Sequence, residues 1–236
     1  MTETSTVLDA PSLPGAPYDL EFFLDPMCPF AWQTSVWVRQ VARLRNLKVG
    51  WRFISLRLLN EELSHQEVSP ERRAAHLLGT RVLRLCAAAR AQGGNDAVDA
   101  VYESWGSQLW NASNGGRDFA TARSEVLAGI ELSSLVAAAG LPAGSIDAAD
   151  DESYDDVIRA ETLLALDRAG EQLGTPIITF GPPDGASFFG PVISHALADD
   201  VALQLYDSVR NLADLGCFSE LKRSKRPALD LPLLTR

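Results

Sequence analysis

Basic side chains, cysteine, histidine and long apolar runs are all scarce in this chain of 236 residues. The 21 basic residues face 31 acidic ones, and the formal net charge of −10 disfavours a nucleic-acid partner. Three cysteines are too few for a disulfide framework, and three scattered histidines predict no metal site. No apolar run approaches the ~20 residues that cross a bilayer, so no membrane partner is expected.

What the chain does contain is the composition of a globular protein, with 46% hydrophobic and 22% charged residues. The first seventeen residues are rich in Ser, Thr, Pro and Gly, and they lack the basic start and the apolar stretch of a secretory signal. We therefore expect a disordered tail over residues 1–18. A cytoplasmic location is the expected one, because nothing here indicates export.

The order of the predicted elements indicates the fold. The segment 19–24 is typical of a buried strand, a helix is predicted from Pro29, and residues 48–54 alternate as a second strand. From about 60 to 171 the pattern is helical, with a break at Gly93-Gly94. Two short strands are predicted at 177–180 and 186–189, followed by an amphipathic helix over 196–210.

This order predicts an α/β protein, a thioredoxin-like fold with an inserted all-helical domain. The thioredoxin-like domain is expected to combine residues 19–59 with residues 172–215, and the helical insertion to occupy residues 60–171. Residues 216–236 are expected to form a C-terminal basic extension. Its charges, which we interpret as solvated, belong to Lys222, Arg223, Lys225 and Arg226.

Cys28 occupies the position at which a thioredoxin fold carries its reactive thiol, where the first strand leads into the first helix. A helix N-terminus favours a thiolate, so we expect the pKa of Cys28 to lie below that of a free cysteine. The fold also carries a proline, usually cis, before its third strand, and Thr175-Pro176 fits that place. The candidate motif is therefore Cys28, Pro29, Phe30, Ala31, Thr175 and Pro176.

Five stretches occur in a fixed order along most of residues 19–226: FFLDPMCPFAW, ISLRLLNEE, GTPIITF, FFGPVIS and FSELKRSKR. In this combination the chain resembles the DsbA-like thioredoxin-fold family, in particular the actinobacterial mycothiol-dependent reductases (nitroreductases). The resemblance implies mycothiol as a small-thiol co-substrate, with no tightly bound cofactor, and an electrophilic or disulfide substrate. The candidate substrate-binding residues are Trp32, Asn60, Trp110, Asn111 and Asn114.

Two departures from the family pattern limit what is carried over. The family's CPWC pair has a second cysteine three residues after the first, where this chain has Ala31. Cys28 is therefore expected to act as a single thiol, unless Cys217 or Cys86 resolves its mixed disulfide. The family's HNQGNH-like stretch is replaced here by residues 110–115, which contain no histidine. The three histidines, His65, His76 and His195, are interpreted as structural.

Three functions remain open from the sequence. The first is a cytoplasmic thiol-dependent oxidoreductase in which Cys28 is the nucleophile and mycothiol the co-substrate. The second is a kappa-class-like thiol transferase or isomerase, in which Cys28 need not turn over covalently. The third is a non-catalytic thioredoxin-fold binding module, in which the backbone beside a cis-proline pairs with an extended peptide.

Overall fold

The computed structural model describes residues 12–65, 67–171 and 173–235. The strands and α-helices along this part of the chain are, in order, β1 (Leu20–Leu24), α1 (Pro29–Arg45), β2 (Val49–Phe53), α2 (Pro70–Leu109), α3 (Phe119–Gly129), α4 (Leu132–Ala138), α5 (Asp155–Ala169), β3 (Ile177–Phe180), β4 (Ser187–Phe189) and α6 (Asp199–Ala213). A π-helical segment follows β2, and two 3-10 segments precede α5: Leu58–Leu63, Ala143–Asp150 and Glu152–Tyr154.

The four strands form one sheet in the order β2-β1-β3-β4, which confirms the predicted thioredoxin-like α/β fold. Strands β1 and β2 are parallel, as the short helical connection between them predicts, and β3 and β4 are antiparallel to their neighbours. Phe22 of β1 packs in the main core, whereas Phe23 packs in a smaller core with Ile177 and with Leu164 of α5. Alternate residues of β1 therefore pack in the cores on opposite faces of the sheet, because side chains alternate along a strand.

The described residues between β2 and β3 form helices and loops without a strand, as predicted. Helix α2 is forty residues long and is interrupted at Gly94, whose φ of 74° lies in the left-handed region that favours glycine. The interruption brings the Asn95 side chain against the edge strand β2. Its Oδ1 accepts from the Trp51 N–H at 2.8 Å, and its Nδ2 donates to the Val49 carbonyl at 2.6 Å.

A buried charge cluster fastens helices α2 and α5 to β2. Glu161 of α5 is fully buried, and its carboxylate accepts from the guanidinium groups of Arg52 and Arg90 at 2.7–3.0 Å and from the Phe53 N–H at 2.8 Å. Arg52 also pairs with Glu21 of β1 at 2.6 Å. Because each of the four charged side chains is paired with one of opposite charge, the cluster avoids the large cost of an unpaired buried ion.

The two ends of the described chain are more ordered than the sequence predicts. Disorder was expected up to residue 18, but the Leu13 side chain is only 4% exposed. It packs closely over Gly50 of β2, where an added Cβ would lie 2.8 Å from Leu13 Cδ1. Residues 1–11, the rest of that expected tail, lie outside the described residues. At the other end Leu231 and Leu233 are buried, although residues 222–226 are exposed as expected. The closing helix begins and ends three residues later than predicted.

Within the described ranges, no helix combines the length and apolar character needed to span a membrane. The division into residues 19–59 plus 172–215, 60–171 and 216–236 stays a prediction.

Candidate active site

Cys28 is the N-cap residue of α1, at the end of the loop that follows β1. Its backbone is extended, with φ −93° and ψ 110°, and Pro29 occupies the first helical position, where its fixed φ suits a helix start. The Ala31 N–H donates to Cys28 Sγ at 3.4 Å, and the Cys28 N–H donates to the Asp25 carbonyl at 3.2 Å. The sulfur therefore takes the place of the side-chain oxygen that usually caps a helix.

The Thr175-Pro176 peptide is cis and adjoins Cys28, as predicted. The Cys28 thiol donates to the Thr175 carbonyl oxygen at 3.5 Å. The Thr175 hydroxyl donates to the Phe23 carbonyl at 3.2 Å, and the Gly190 N–H donates to the Pro176 carbonyl at 2.9 Å. Strands β1 and β4 thus hold the loop before β3 against the sulfur.

The lowered pKa that the helix start predicts for Cys28 is wrong, because the structure raises this pKa instead. Cys28 is only 7% exposed, and burial raises its pKa to about 12, since a thiolate loses its hydration there. The backbone hydrogen bonds from Ala31 and Phe30 lower the pKa, but by less than burial raises it, and the negative charge of Asp25 raises it further. The resting side chain is therefore a thiol rather than a thiolate.

Asp25 is a buried carboxyl next to Cys28 that the sequence analysis did not single out. One carboxylate oxygen accepts from the Met27 N–H at 2.7 Å and the other from the Leu56 N–H at 2.8 Å. Burial nevertheless raises its pKa from 3.8 to about 6. Asp25 thus fixes the loop before Cys28 to the end of β2, and its charge changes near neutral pH. The only sequence signal was an acidic residue three positions before the cysteine.

Three tryptophans connect the end of α2 with α1 and with the loop before α1. The Trp32 indole N–H donates to Asn111 Oδ1 at 3.3 Å, so the structure brings these two candidates together. Trp110 and the unpredicted Trp105 both donate their indole N–H to the Pro26 carbonyl, at 3.3 and 2.8 Å. The end of α2 therefore contacts the loop that carries Cys28.

The other candidate residues lie in less direct positions. Asn114 structures its own turn, because its Oδ1 accepts from the Gly116 N–H at 2.9 Å and its Nδ2 donates to the Thr235 carbonyl. Asn60 is half-buried in the π-helical segment after β2. Phe30 is half-buried beside Cys28 and packs against the main core. Their roles in substrate binding stay predictions.

The C-terminal segment borders this site, which the sequence analysis did not anticipate. Leu231 and Leu233 are 3% and 0% exposed. The Leu233 N–H donates to the Trp110 carbonyl at 3.4 Å, and the Asp230 N–H donates to the Ser194 carbonyl at 2.7 Å. Residues 230–235, here called the C-terminal strap, therefore connect the loop before α6 to the turn after α2.

His76, which the sequence analysis interpreted as structural, faces the site region from α2. Its Nδ1 lies 2.7 Å from Glu61 Oε1 in the π-helical segment, and Arg73 Nε lies 3.3 Å from Glu61 Oε2. When it is protonated, His76 lowers the pKa of the Asp25 carboxyl. No spacing pattern identifies this pair, because Glu61 and His76 belong to different elements.

The remaining two cysteines are also free. Cys86 is fully buried in α2, where burial raises its pKa to about 12, and Cys217 is exposed after α6. A cavity of about 690 Å³ opens elsewhere, between the end of α1, the start of β2 and the interruption of α2, and Cys28 does not line it. Among the described residues, no group of three or more His, Cys, Asp or Glu side chains is arranged to hold a metal ion.

Solved structures with the same arrangement of elements include 2-hydroxychromene-2-carboxylate isomerase. It aligns with 82% of this chain and 95% of its own, at a TM-score of 0.51 and 14% identity, which shows a shared fold. The disulfide oxidoreductase DsbA from Proteus mirabilis aligns with 88% of this chain and 93% of its own, at a TM-score of 0.47 and 18% identity.

Sequence comparison identifies the family. The uncharacterized protein Rv2286c of Mycobacterium tuberculosis is 32% identical over 218 residues, which are 92% of this chain and 86% of that protein. The family model described as Rv2466c-like, mycothiol-dependent nitroreductase Rv2466c, matches residues 27–223. The family match confirms the predicted class, a thiol-dependent oxidoreductase. The chain belongs to the Rv2466c-like family of mycothiol-dependent nitroreductases.

Proposed function

We propose that this protein is an oxidoreductase that acts through Cys28 as a single thiol, with mycothiol as its small-thiol co-substrate. One observation carries the proposal: Cys28 Sγ lies between the N–H of Ala31 and the carbonyl of Thr175, beside a cis-proline. This backbone frame is suited to a mixed disulfide. Ala31 contributes only a methyl group, so no thiol three residues on can displace what Cys28 has bound.

The proposed chemistry consists of two thiol–disulfide exchanges. Cys28 attacks one sulfur of a disulfide substrate; the new bond joins Cys28 to that sulfur, the old S–S bond breaks, and the other half leaves as a thiol. Mycothiol then attacks the mixed disulfide and regenerates the Cys28 thiol. The electrons come from mycothiol, which ends in a disulfide with the substrate half. A reducing cytoplasm, where all three free cysteines persist, is the proposed compartment.

Intact-protein mass spectrometry tests the proposal directly. Incubation with oxidised mycothiol should give one mycothiol-sized adduct that maps to Cys28 and that reduced mycothiol removes. Cys28→Ser should give no such adduct, and Cys217→Ser should retain it. An adduct that appears only on Cys217, or none at any pH, would contradict the proposal.

A second candidate follows from the burial of Cys28. A thiol that stays protonated and donates to the Thr175 carbonyl suits a transferase or isomerase in which the sulfur of a bound small thiol reacts instead. That function predicts thiol-dependent turnover that survives Cys28→Ser. Neither turnover nor adduct in the wild type would favour the non-catalytic binding module.

A further inference from the structure

One cavity of the structure takes no part in the proposed function. It is the cavity of about 690 Å³ between α1, the start of β2 and the interruption of α2, here called the β2-edge cavity. Its apolar wall includes Ala42, Leu47 and Trp51. A volume of this size is typical of sites for small ligands, which measure roughly 300–1,000 Å³. Cys28 does not line it, so a molecule bound there lies outside the thiol chemistry.

Helical side chains cover part of the outward edge of β2, which is an edge strand of the sheet. Arg90 donates to the Trp51 carbonyl at 3.0 Å. Asn95 bonds two further outward groups, the Val49 carbonyl and the Trp51 N–H. One residue of an added parallel strand would bond the same two groups. The Asn95 amide therefore takes the place of a peptide group at this edge.

The preceding pair of outward groups on this edge has no such cover. The Lys48 carbonyl accepts from the Asp19 N–H at 2.9 Å, so it points toward β1. Because the bonding groups of a strand alternate between its two sides, the Leu47 carbonyl and the Val49 N–H point the other way. In the part of the chain that the structure describes, neither group has a hydrogen-bond partner. Both residues line the β2-edge cavity, which therefore offers one acceptor and one donor to an amide.

Two opposite charges line the same cavity without a partner. Lys48 and Asp96 are exposed, and among the described residues neither makes an ion pair or a side-chain hydrogen bond, including with the other. The remaining charged residues of the lining, Arg39 and Asp99, already pair at 2.7 Å. A ligand that complements the cavity therefore carries an ammonium for Asp96 and a carboxylate for Lys48.

We propose that the β2-edge cavity binds a short peptide with two free ends. The amino terminus of the peptide faces Asp96, and its carboxylate faces Lys48. Its peptide group donates to the Leu47 carbonyl and accepts from the Val49 N–H, which adds one residue to the row that Asn95 begins. Small apolar side chains suit the apolar wall. This site is independent of the proposed function and involves no covalent step.

Isothermal titration calorimetry of the full chain with trialanine tests the proposal, because this tripeptide has both free ends and small apolar side chains. N-acetyl-trialanine lacks the ammonium, and trialanine amide lacks the carboxylate. Asp96→Asn and Lys48→Gln each remove one charge of the protein at an exposed position. Asp184→Asn and Lys222→Gln are the matched controls, because both residues are exposed and lie outside the cavity.

Trialanine should bind the wild type with a Kd of about 1 mM or below. Asp96→Asn should weaken this binding about fivefold, as expected for the loss of an ion pair at an exposed site, and so should acetylation of the peptide. Lys48→Gln and the peptide amide should have the same effect. Asp96→Asn should bind N-acetyl-trialanine no more weakly than the wild type does, because the two changes remove one interaction. Both control variants should bind like the wild type.

Several results would overturn the inference. Trialanine may not be replaced by its blocked forms without loss, so equal binding of all three peptides contradicts the two charge contacts. No binding to the wild type up to about 20 mM contradicts the site itself. Losses from Asp96→Asn and from acetylation that add up place the ammonium elsewhere. Ala42→Phe tests the location without a change of charge, since the ring would occupy the cavity. Unchanged binding in that variant contradicts the assignment to the β2-edge cavity.

Discussion

At Gly106, helix α2 packs tightly against Trp32 of the candidate site, and a side chain added there should destabilise the fold. A Cβ there would lie 2.1, 2.3 and 2.5 Å from three atoms of the Trp32 indole. Because carbon atoms pack at about 3.5–4.0 Å, Gly106→Ala requires a displacement of more than about 1 Å. Trp32 is 2% exposed, is bonded to Asn111, and lies edge-on to Tyr102, so it has nowhere to move.

The magnitude follows from two opposing effects. Overpacking a dense core costs about 1–3 kcal/mol and occasionally more, and this contact lies at the severe end. Replacing a helical glycine by alanine returns about 1 kcal/mol. The net loss should be about 2 kcal/mol, which for a chain of this length lowers the thermal midpoint by about 4–8 °C.

Differential scanning calorimetry with a matched control checks this reasoning. Gly129 also lies in a helix, as the last residue of α3, but a Cβ on it would meet nothing within 4 Å. Gly129→Ala should therefore leave the midpoint unchanged or raise it. A midpoint for Gly106→Ala equal to or above that of the wild type would refute the close contact between α2 and Trp32.

Three further predictions concern the site and its border. Ala31→Cys should let Cys28 form a reversible disulfide, seen as the loss of two hydrogens in the intact mass; a persistently reduced pair would contradict the helix-start geometry. Since burial raises the pKa of Asp25 from 3.8 to about 6, its ionisation costs the folded state about 3 kcal/mol. The wild type bears none of this cost below the unfolded pKa and all of it above about pH 6, so urea titrations should show Asp25→Asn gaining stability relative to wild type between about pH 4 and 7; a constant difference would contradict the raised pKa. Leu233→Ala should cost about 2–5 kcal/mol by urea titration, because the side chain is fully buried. The 81%-exposed Leu221→Ala serves as its control, and equal effects of the two would show that the C-terminal strap is not packed.

The strands and the cysteine position were predictable because their signals are local. Alternation of side chains identifies β1 and β2, and the dipeptide Thr175-Pro176 before an apolar run identifies the cis-proline loop. The position of Cys28 at a helix start also follows from its neighbours along the chain.

The features that were missed depend on contacts between distant parts of the chain. The helix start alone predicts a lowered pKa for Cys28, but the thiol is buried by elements that include the loop of Thr175, 147 residues away. The leucines of the C-terminal strap pack near Trp110, more than one hundred residues earlier, so their short apolar run carried no sign of a partner. The pairing of His76 with Glu61 could not be predicted either, because no spacing along the sequence points from α2 to a partner in the π-helical segment.

The C-terminal strap has a consequence for synthesis. Its residues leave the ribosome after Cys28, the helices and the whole sheet have emerged. Until then, Leu231 and Leu233 cannot cover their part of the core, and the turn at Trp110 lacks the backbone bond that joins it to the strap. The border of the site is therefore completed after the sheet, and a nascent or truncated chain that lacks the strap carries exposed apolar surface beside its reactive cysteine.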